Sequence, residues 1–181
     1  MLHDILDVVQ NHKISLIEED VLDFLKIRRR WPYRYSDNQQ SVEIISPVFG
    51  TTAKEFFNVD GMFLYDEWKK YYDLGFTTIL SNVLDLNSQL RSLSNKIHQY
   101  TGNYINGNFY FSSGSLKHRV SFPSHNHDYH VIVKPIYGKS KWEVSGNKFE
   151  CSRESFLIPR GEDHEVYECR DKKLSLTLNI T

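Results

Sequence analysis

The sequence predicts an α+β fold, helical at the N-terminus and mostly β beyond it, with the strands wound into a jelly roll. Three observations predict this. Helical spacing of apolar residues dominates up to about residue 103 and then stops. Eight segments follow, most of them short, rich in β-branched and aromatic residues and bounded by Gly, Pro, Asn or Ser. That many short strands in about 80 residues suits a double-sheet jelly roll, which can hold a small pocket between its walls.

In order along the chain, Ser15-Leu-Ile-Glu18 has the pattern of a capping box, and Ile17, Val21, Phe24 and Leu25 continue it at helical spacing until RRRWP stops the helix. FLYDEWKKYY, residues 63–72, is an aromatic-rich helix candidate ending at Asp73-Leu-Gly75. Leu86, Leu90, Leu93 and Ile97 form a helical stripe closed by Gly102, read as core contacts. The strands are NYINGNFYFSS, KHRVSFP, HVIVKPIYG, KWEVSG, KFECS, SFLIPRG, HEVYEC and KLSLTLNI. Residues 1–102 are thus expected to be a helical extension packed on a β-barrel of residues 103–181, as one structural domain. A chain of 181 residues, 40% hydrophobic, has a core for one domain and too little for two, and it shows no repeat or Pro/Gly-rich linker.

With 22 basic and 23 acidic residues, the chain has no overall charge to attract nucleic acid. Its basic run, Lys26 to Trp31, reads as a solvated helix end. No long apolar stretch or signal-peptide pattern is present, so a cytoplasmic location is expected, with no membrane partner. Cys151 and Cys169 lack metal-type spacing and read as small strand residues.

The chemistry concentrates in Ser124 to His130, SHNHDYH. His125 and His127 are two apart, which on a strand places both on one face. A third ligand would come from elsewhere, and the candidate is His164 in FLIPRGEDHEV, where Pro159 and Gly161 mark a turn. Imidazole suits iron, copper, nickel and zinc, and three ligands on one side of an ion leave positions for substrate. HxH alone is a common surface pattern; HxH followed 37 residues later by a PxGxxH turn is far more specific. His130 faces the other side of a regular strand, with a metal or supporting role open. His3, His12, His98 and His118 read as incidental.

These residues carry a resemblance. HxH followed by Gly138, then PRGEDH with Asn179 further on, looks like the two cupin motifs. More closely, the region resembles the JmjC-type, ribosomal-oxygenase-like non-haem iron oxygenases. Their HxD, hydrophobic run and GxKxW are similar to His125-Asn-His127, HVIVKPIY and GKSKW (residues 138–142), and their IPxGxxH to IPRGEDH (residues 158–164). EWKKYYDLGFTTIL and NGNFYFSS look like the family's helix and N-x-Y strand, so the resemblance covers residues 63–181. It implies a double-stranded β-helix, Fe(II), and 2-oxoglutarate as cosubstrate. At two positions the chain differs: His127 stands where the family has an acidic ligand, and Ser140 where it commonly has a lysine for the distal carboxylate of 2-oxoglutarate. Asp128 would be the acidic ligand if the strand bulged by one residue.

Two imidazoles and a carboxylate leave Fe(II) at a net charge of about +1, and three imidazoles leave it at about +2, which favours an anionic substrate bound directly to the metal. Candidate carboxylate binders are Lys134, Lys139, Lys141, Arg160 and Arg170, and Asn108, Tyr110 and Asn179 are candidate pocket residues. The expected function is hydroxylation of a small molecule or amino-acid side chain by a non-haem iron dioxygenase, with no acid or base beyond the metal centre. A three-histidine dioxygenase or isomerase without 2-oxoglutarate, and a non-catalytic ligand-binding cupin, remain the alternatives. A homodimer is left open.

Overall fold

The last strand of the chain decides how the rest is layered. In the computed structural model, which describes residues 1–28, 42–45, 52–54, 56–114 and 122–181, it runs from Lys173 to Ile180. The elements, in chain order, are α1 (Leu2–Asn11), α2 (Glu18–Lys26), β1 (Val42–Ile45), β2 (Thr52–Lys54), α3 (Tyr65–Asp73), β3 (Thr77–Leu80), α4 (Ser88–Thr101), β4 (Asn106–Ser112), β5 (Phe122–His125), β6 (His130–Tyr137), β7 (Ser140–Val144), β8 (Asn147–Cys151), β9 (Phe156–Ile158), β10 (His164–Glu168) and β11 (Lys173–Ile180). They form a seven-stranded sheet ordered β2-β1-β3-β4-β11-β6-β9 and a four-stranded sheet ordered β5-β10-β7-β8, with every ladder antiparallel.

KLSLTLNI alternates strictly, so its side chains divide between the two faces of the large sheet. Leu174, Leu176, Leu178 and Ile180 are buried in the core that the sheet shares with Val9 of α1, Leu25 of α2, Trp68 of α3 and Leu90 of α4. Lys173, Ser175, Thr177 and Asn179 face the opposite way, into a cavity between the two sheets. A smaller apolar cluster, including Val131, Val133, Trp142, Ile158 and Val166, packs in that inter-sheet space.

The helices attach through specific contacts. Trp68 is fully buried, stacks on Tyr72 at 5.0 Å and donates from Nε1 to Thr78 Oγ1 at 3.0 Å. Leu90, Leu93 and Ile97 are fully buried as the stripe requires, Asn87 caps α4 by accepting from the Leu90 N–H at 2.9 Å, and Gly102 closes it at φ +71°. Lys134, on the helix side of β6, sends its ammonium to the carbonyls of Val9 at 2.8 Å and Gln10 at 3.2 Å, satisfying the C-terminal end of α1.

The double-stranded β-helix and its helical layer match the sequence expectation, and all eight anticipated C-terminal strands have counterparts. Several details differ. Before residue 103 there are also three strands, β1, β2 and β3, which continue the large sheet. They are three or four residues long, too short to set up a period-2 pattern. The two sheets share no ladder among the described residues, so the strands form a sandwich and not a closed barrel. Ser15 does not cap α2. The Ile17 N–H donates to Asp20 at 2.9 Å, while Glu18 is engaged by the Tyr72 hydroxyl and the Lys172 ammonium, and Ile17 is exposed. Arg28 is buried and donates to the Ser81 carbonyl at 3.0 Å, so this part of the basic run is no solvated helix end; residues 29–31 lie outside the described residues. His118 and most of KHRVSFP lie outside them too. Both cysteines are buried free thiols. Among the described residues, no helix is long and apolar enough to cross a membrane.

Leu176 is fully buried on the helix side of β11. Leu176→Ala is expected to lower stability by about 2–5 kcal/mol in urea unfolding while leaving metal uptake at the opposite face intact. A loss under about 1 kcal/mol would contradict this layering.

Candidate metal centre

β5 and β10 are antiparallel neighbours, and their register sets His125 directly opposite His164. The two rings lie 4.2 Å apart between centroids. β5 ends at His125, so His127 reaches the group from the bend beyond the strand, with centroid distances of 4.8 Å to His125 and 5.2 Å to His164. One ring nitrogen from each of the three lies within 4.8 Å of the others. His127 also stacks on Tyr129 at 4.7 Å, with 12° between the ring planes.

Three hydrogen bonds fasten the SHNHDYH segment to the PRGEDH turn. The Gly161 N–H donates to the His127 carbonyl at 2.8 Å, the Arg160 N–H to His130 Nδ1 at 3.1 Å, and Asn126 Nδ2 to Asp163 Oδ1 at 2.7 Å. Gly161 sits at φ +81°, a left-handed conformation that favours glycine and turns the chain into β10 at His164. The structure therefore makes His130 a brace for this turn, because the nitrogen that accepts from Arg160 cannot also hold a metal. Asp128 is exposed and outside the trio. Ending β5 at His125 lets His127 turn inward, and no bulge brings Asp128 in.

The protein also sets the tautomers. His125 Nδ1 lies 2.9 Å from the Pro123 carbonyl and His164 Nδ1 lies 3.0 Å from the Glu162 carbonyl. A carbonyl only accepts, so each Nδ1 carries the proton and the lone pair is on Nε2, as in a metal-ligating histidine oriented by a carbonyl. Burial is the main reason that the His125 pKa is lowered to about 4; His164 and His127 add to this, and the hydrogen bond to Pro123 opposes it. Burial also lowers the His127 and His164 values. The trio is thus neutral at physiological pH, the form that binds metal. Three neutral imidazoles of this kind fit a divalent iron, cobalt, nickel, copper or zinc ion.

The trio opens into the cavity between the sheets. Val131, Val133, Ile158 and Val166 supply apolar wall, and the polar stripe of β11 supplies the rest with Tyr110. The Tyr110 hydroxyl is hydrogen-bonded to Thr177, and burial pushes its pKa above the usual range, so it stays protonated. Tyr110 and Asn179 are therefore where the sequence placed them.

The other candidate binders are not in this cavity. Asn108 accepts from the Asn82 N–H at 3.3 Å. Lys134 caps α1 on the far side of the sheet. Ser140 accepts from Trp142 Nε1 at 2.9 Å, and Lys141 pairs with Glu168 at 2.7 Å. Lys139 pairs with Glu150 at 3.7 Å, and Arg160 and Arg170 are exposed. The cation that does line the cavity is Lys173, which sequence reasoning missed. The one signal that could have found it is its place at the head of the polar face of KLSLTLNI.

No protein-family model matches the chain, and no curated protein matches it by sequence. Among solved structures, the Escherichia coli ribosomal oxygenase YcfD in complex with cobalt and succinic acid has a TM-score of 0.63 at 14% identity, covering 94% of this chain and 45% of that one. Its complex with cobalt and 2-oxoglutarate gives the same figures. A further structure of the E. coli protein has a TM-score of 0.65 at 13% identity, with 94% and 47% covered. The chain thus shares their fold and spans somewhat less than half their length.

Two outcomes are expected. His164→Ala should abolish cobalt uptake, read by metal analysis, while circular dichroism still reports a folded β-protein; undiminished metal would refute the ligand set. Between about pH 4 and 6.5 the unfolded chain takes up a proton at residue 125 that the folded chain refuses. Metal-free protein should therefore keep this contribution above that window and lose stability as pH falls through it. His125→Gln should flatten the slope in urea unfolding.

Proposed function

We propose that this chain is a mononuclear non-haem iron oxygenase that uses 2-oxoglutarate to hydroxylate a small molecule or an amino-acid side chain. The observation that carries the reading is the convergence of His125, His127 and His164, within 4.8 Å of one another at a cavity between the sheets. The YcfD complexes with cobalt and 2-oxoglutarate or succinic acid, on the same fold, support it.

Each residue then has a task. His125, His127 and His164 hold the ion, and the Pro123 and Glu162 carbonyls orient two of the rings. When bound, iron supplies the redox chemistry and the coordination positions for oxygen and the oxoacid. Val131, Val133, Ile158 and Val166 exclude water from one side of the cavity, and Tyr110 keeps a protonated hydroxyl on the other. No side chain in the described cavity is placed as a separate general acid or base.

A second reading has a specific observation in its favour. With His127 inward and Asp128 exposed, the ligand set is all imidazole, which leaves the ion one positive charge higher than a carboxylate-containing set and suits an anionic substrate bound directly to it. An anaerobic Fe(II) titration with and without 2-oxoglutarate separates the two. The proposed function expects the weak visible metal-to-ligand charge-transfer band of the oxoacid chelate. Iron bound without that band would favour a three-histidine dioxygenase, and failure to bind iron would leave a ligand-binding cupin.

A further inference from the structure

We propose that Tyr129 is the positioning residue for the third ligand of the trio, its ring holding the plane of His127 as backbone carbonyls hold the rings of His125 and His164. This rests on the reading of the trio as a metal centre.

The need for such a residue follows from what fixes each ring. The outer torsion of a histidine side chain is broad and roughly two-fold, so a hydrogen bond or a packed neighbour has to choose the ring's orientation. For His125 and His164 the Pro123 and Glu162 carbonyls make that choice. At His127 the backbone is pinned, by the Gly161 N–H to its carbonyl and by the adjoining bond from Asn126 to Asp163. Its imidazole, however, has no hydrogen bond among the described residues. What lies against it is Tyr129, with ring centroids 4.7 Å apart and 12° between the planes. His125 meets the same ring at 82° and His164 at 48°, so neither shares its plane. Turning the His127 ring about its outer bond would drive it into the face of the tyrosine.

Tyr129 suits this task because of where it is anchored. His127 lies beyond the end of β5, the outermost strand of the small sheet. Tyr129 immediately precedes β6, which is paired on both sides, with β11 and with β9, in the large sheet. His130, next in the chain, accepts from the Arg160 N–H and ties the start of β6 to the PRGEDH turn. Tyr129 also packs against the inter-sheet cluster that contains Val131, Trp142 and Val166. The stack therefore carries the order of an interior strand to a ligand that its own edge strand does not reach. Among the described residues the Tyr129 hydroxyl makes no hydrogen bond, so the contribution comes from the ring face, which phenylalanine keeps and leucine lacks.

The test follows cobalt uptake by wild type, Tyr129→Phe and Tyr129→Leu through the visible d–d bands of the bound ion, with the ring protons of the three histidines read by NMR in metal-free protein. Tyr129→Phe should bind cobalt within about two-fold of the wild type and Tyr129→Leu about 10–100-fold more weakly, the usual cost of losing a partner that orients a metal-ligating histidine. In metal-free protein the facing aromatic ring shifts the His127 ring protons upfield. That shift should persist in Tyr129→Phe and vanish in Tyr129→Leu, with His125 and His164 unmoved. Undiminished cobalt affinity in Tyr129→Leu, or a Tyr129→Phe protein as weak as it, would overturn the proposal. So would displacement of all three histidines together in Tyr129→Leu, the result of a merely structural role. If the wild type takes up no cobalt, the metal-centre reading fails by itself. The stack is then decided on metal-free protein: an upfield shift confined to His127 and lost only in Tyr129→Leu supports it, and ordinary His127 positions in the wild type overturn it.

Discussion

The two-faced character of β11 is the constraint on which the molecule depends. Hydrogen-bonded to β4 on one side and β6 on the other, it sits inside the large sheet and has no freedom to turn over. Its four aliphatic side chains require an apolar layer on one face, and the helices provide it. The remaining face has to be accommodated between two sheets, where a sandwich ordinarily packs aliphatic groups. A polar stripe there cannot close tightly without losing hydrogen bonds, so a cavity is left between the sheets. A one-residue slip of register would send the leucines into the cavity and lysine into the helical core.

Charge in the cavity is distributed in the same spirit. Burial keeps three imidazoles neutral at one end, while a lysine is retained at the other. Occupied by a divalent cation, the interior would be strongly positive with no acidic ligand to offset it. Such a site selects for multiply charged anions over neutral molecules of the same shape. The imidazole at residue 127 and the cation at 173 thus act in the same direction on the field of the cavity.

Much of this was legible in the sequence. The eight C-terminal strands announced themselves because turn residues bracket runs of β-branched and aromatic types, and Leu90, Leu93 and Ile97 repeat at helical spacing. His125, His127 and His164 stood out through the spacing of two motifs. Other features depend on partners distant in sequence. The strands β1 to β3 are too short for a pattern. Lys134 reads as a pocket cation in an apolar strand, but its acceptors lie more than 120 residues away on α1. Lys173 has the opposite history: on an alternating strand a polar face is normally given to solvent, and only the placement of the helices reveals that this one points inward. Whether His127 or Asp128 faces the trio was fixed by where β5 ends, a boundary that local sequence states poorly.

β5 is also the outermost strand of the small sheet, paired on one side alone among the described ladders. Edge strands have fewer hydrogen bonds holding them and are the first to open in local fluctuations. Yet this strand carries His125 and leads directly to His127, while His164 is on its neighbour. An ion held by all three would act as a clasp across that edge ladder, adding a bond that the polypeptide does not itself contain. Metal loading and the closing of the sheet would then be a single equilibrium, each favoured by the other through mass action.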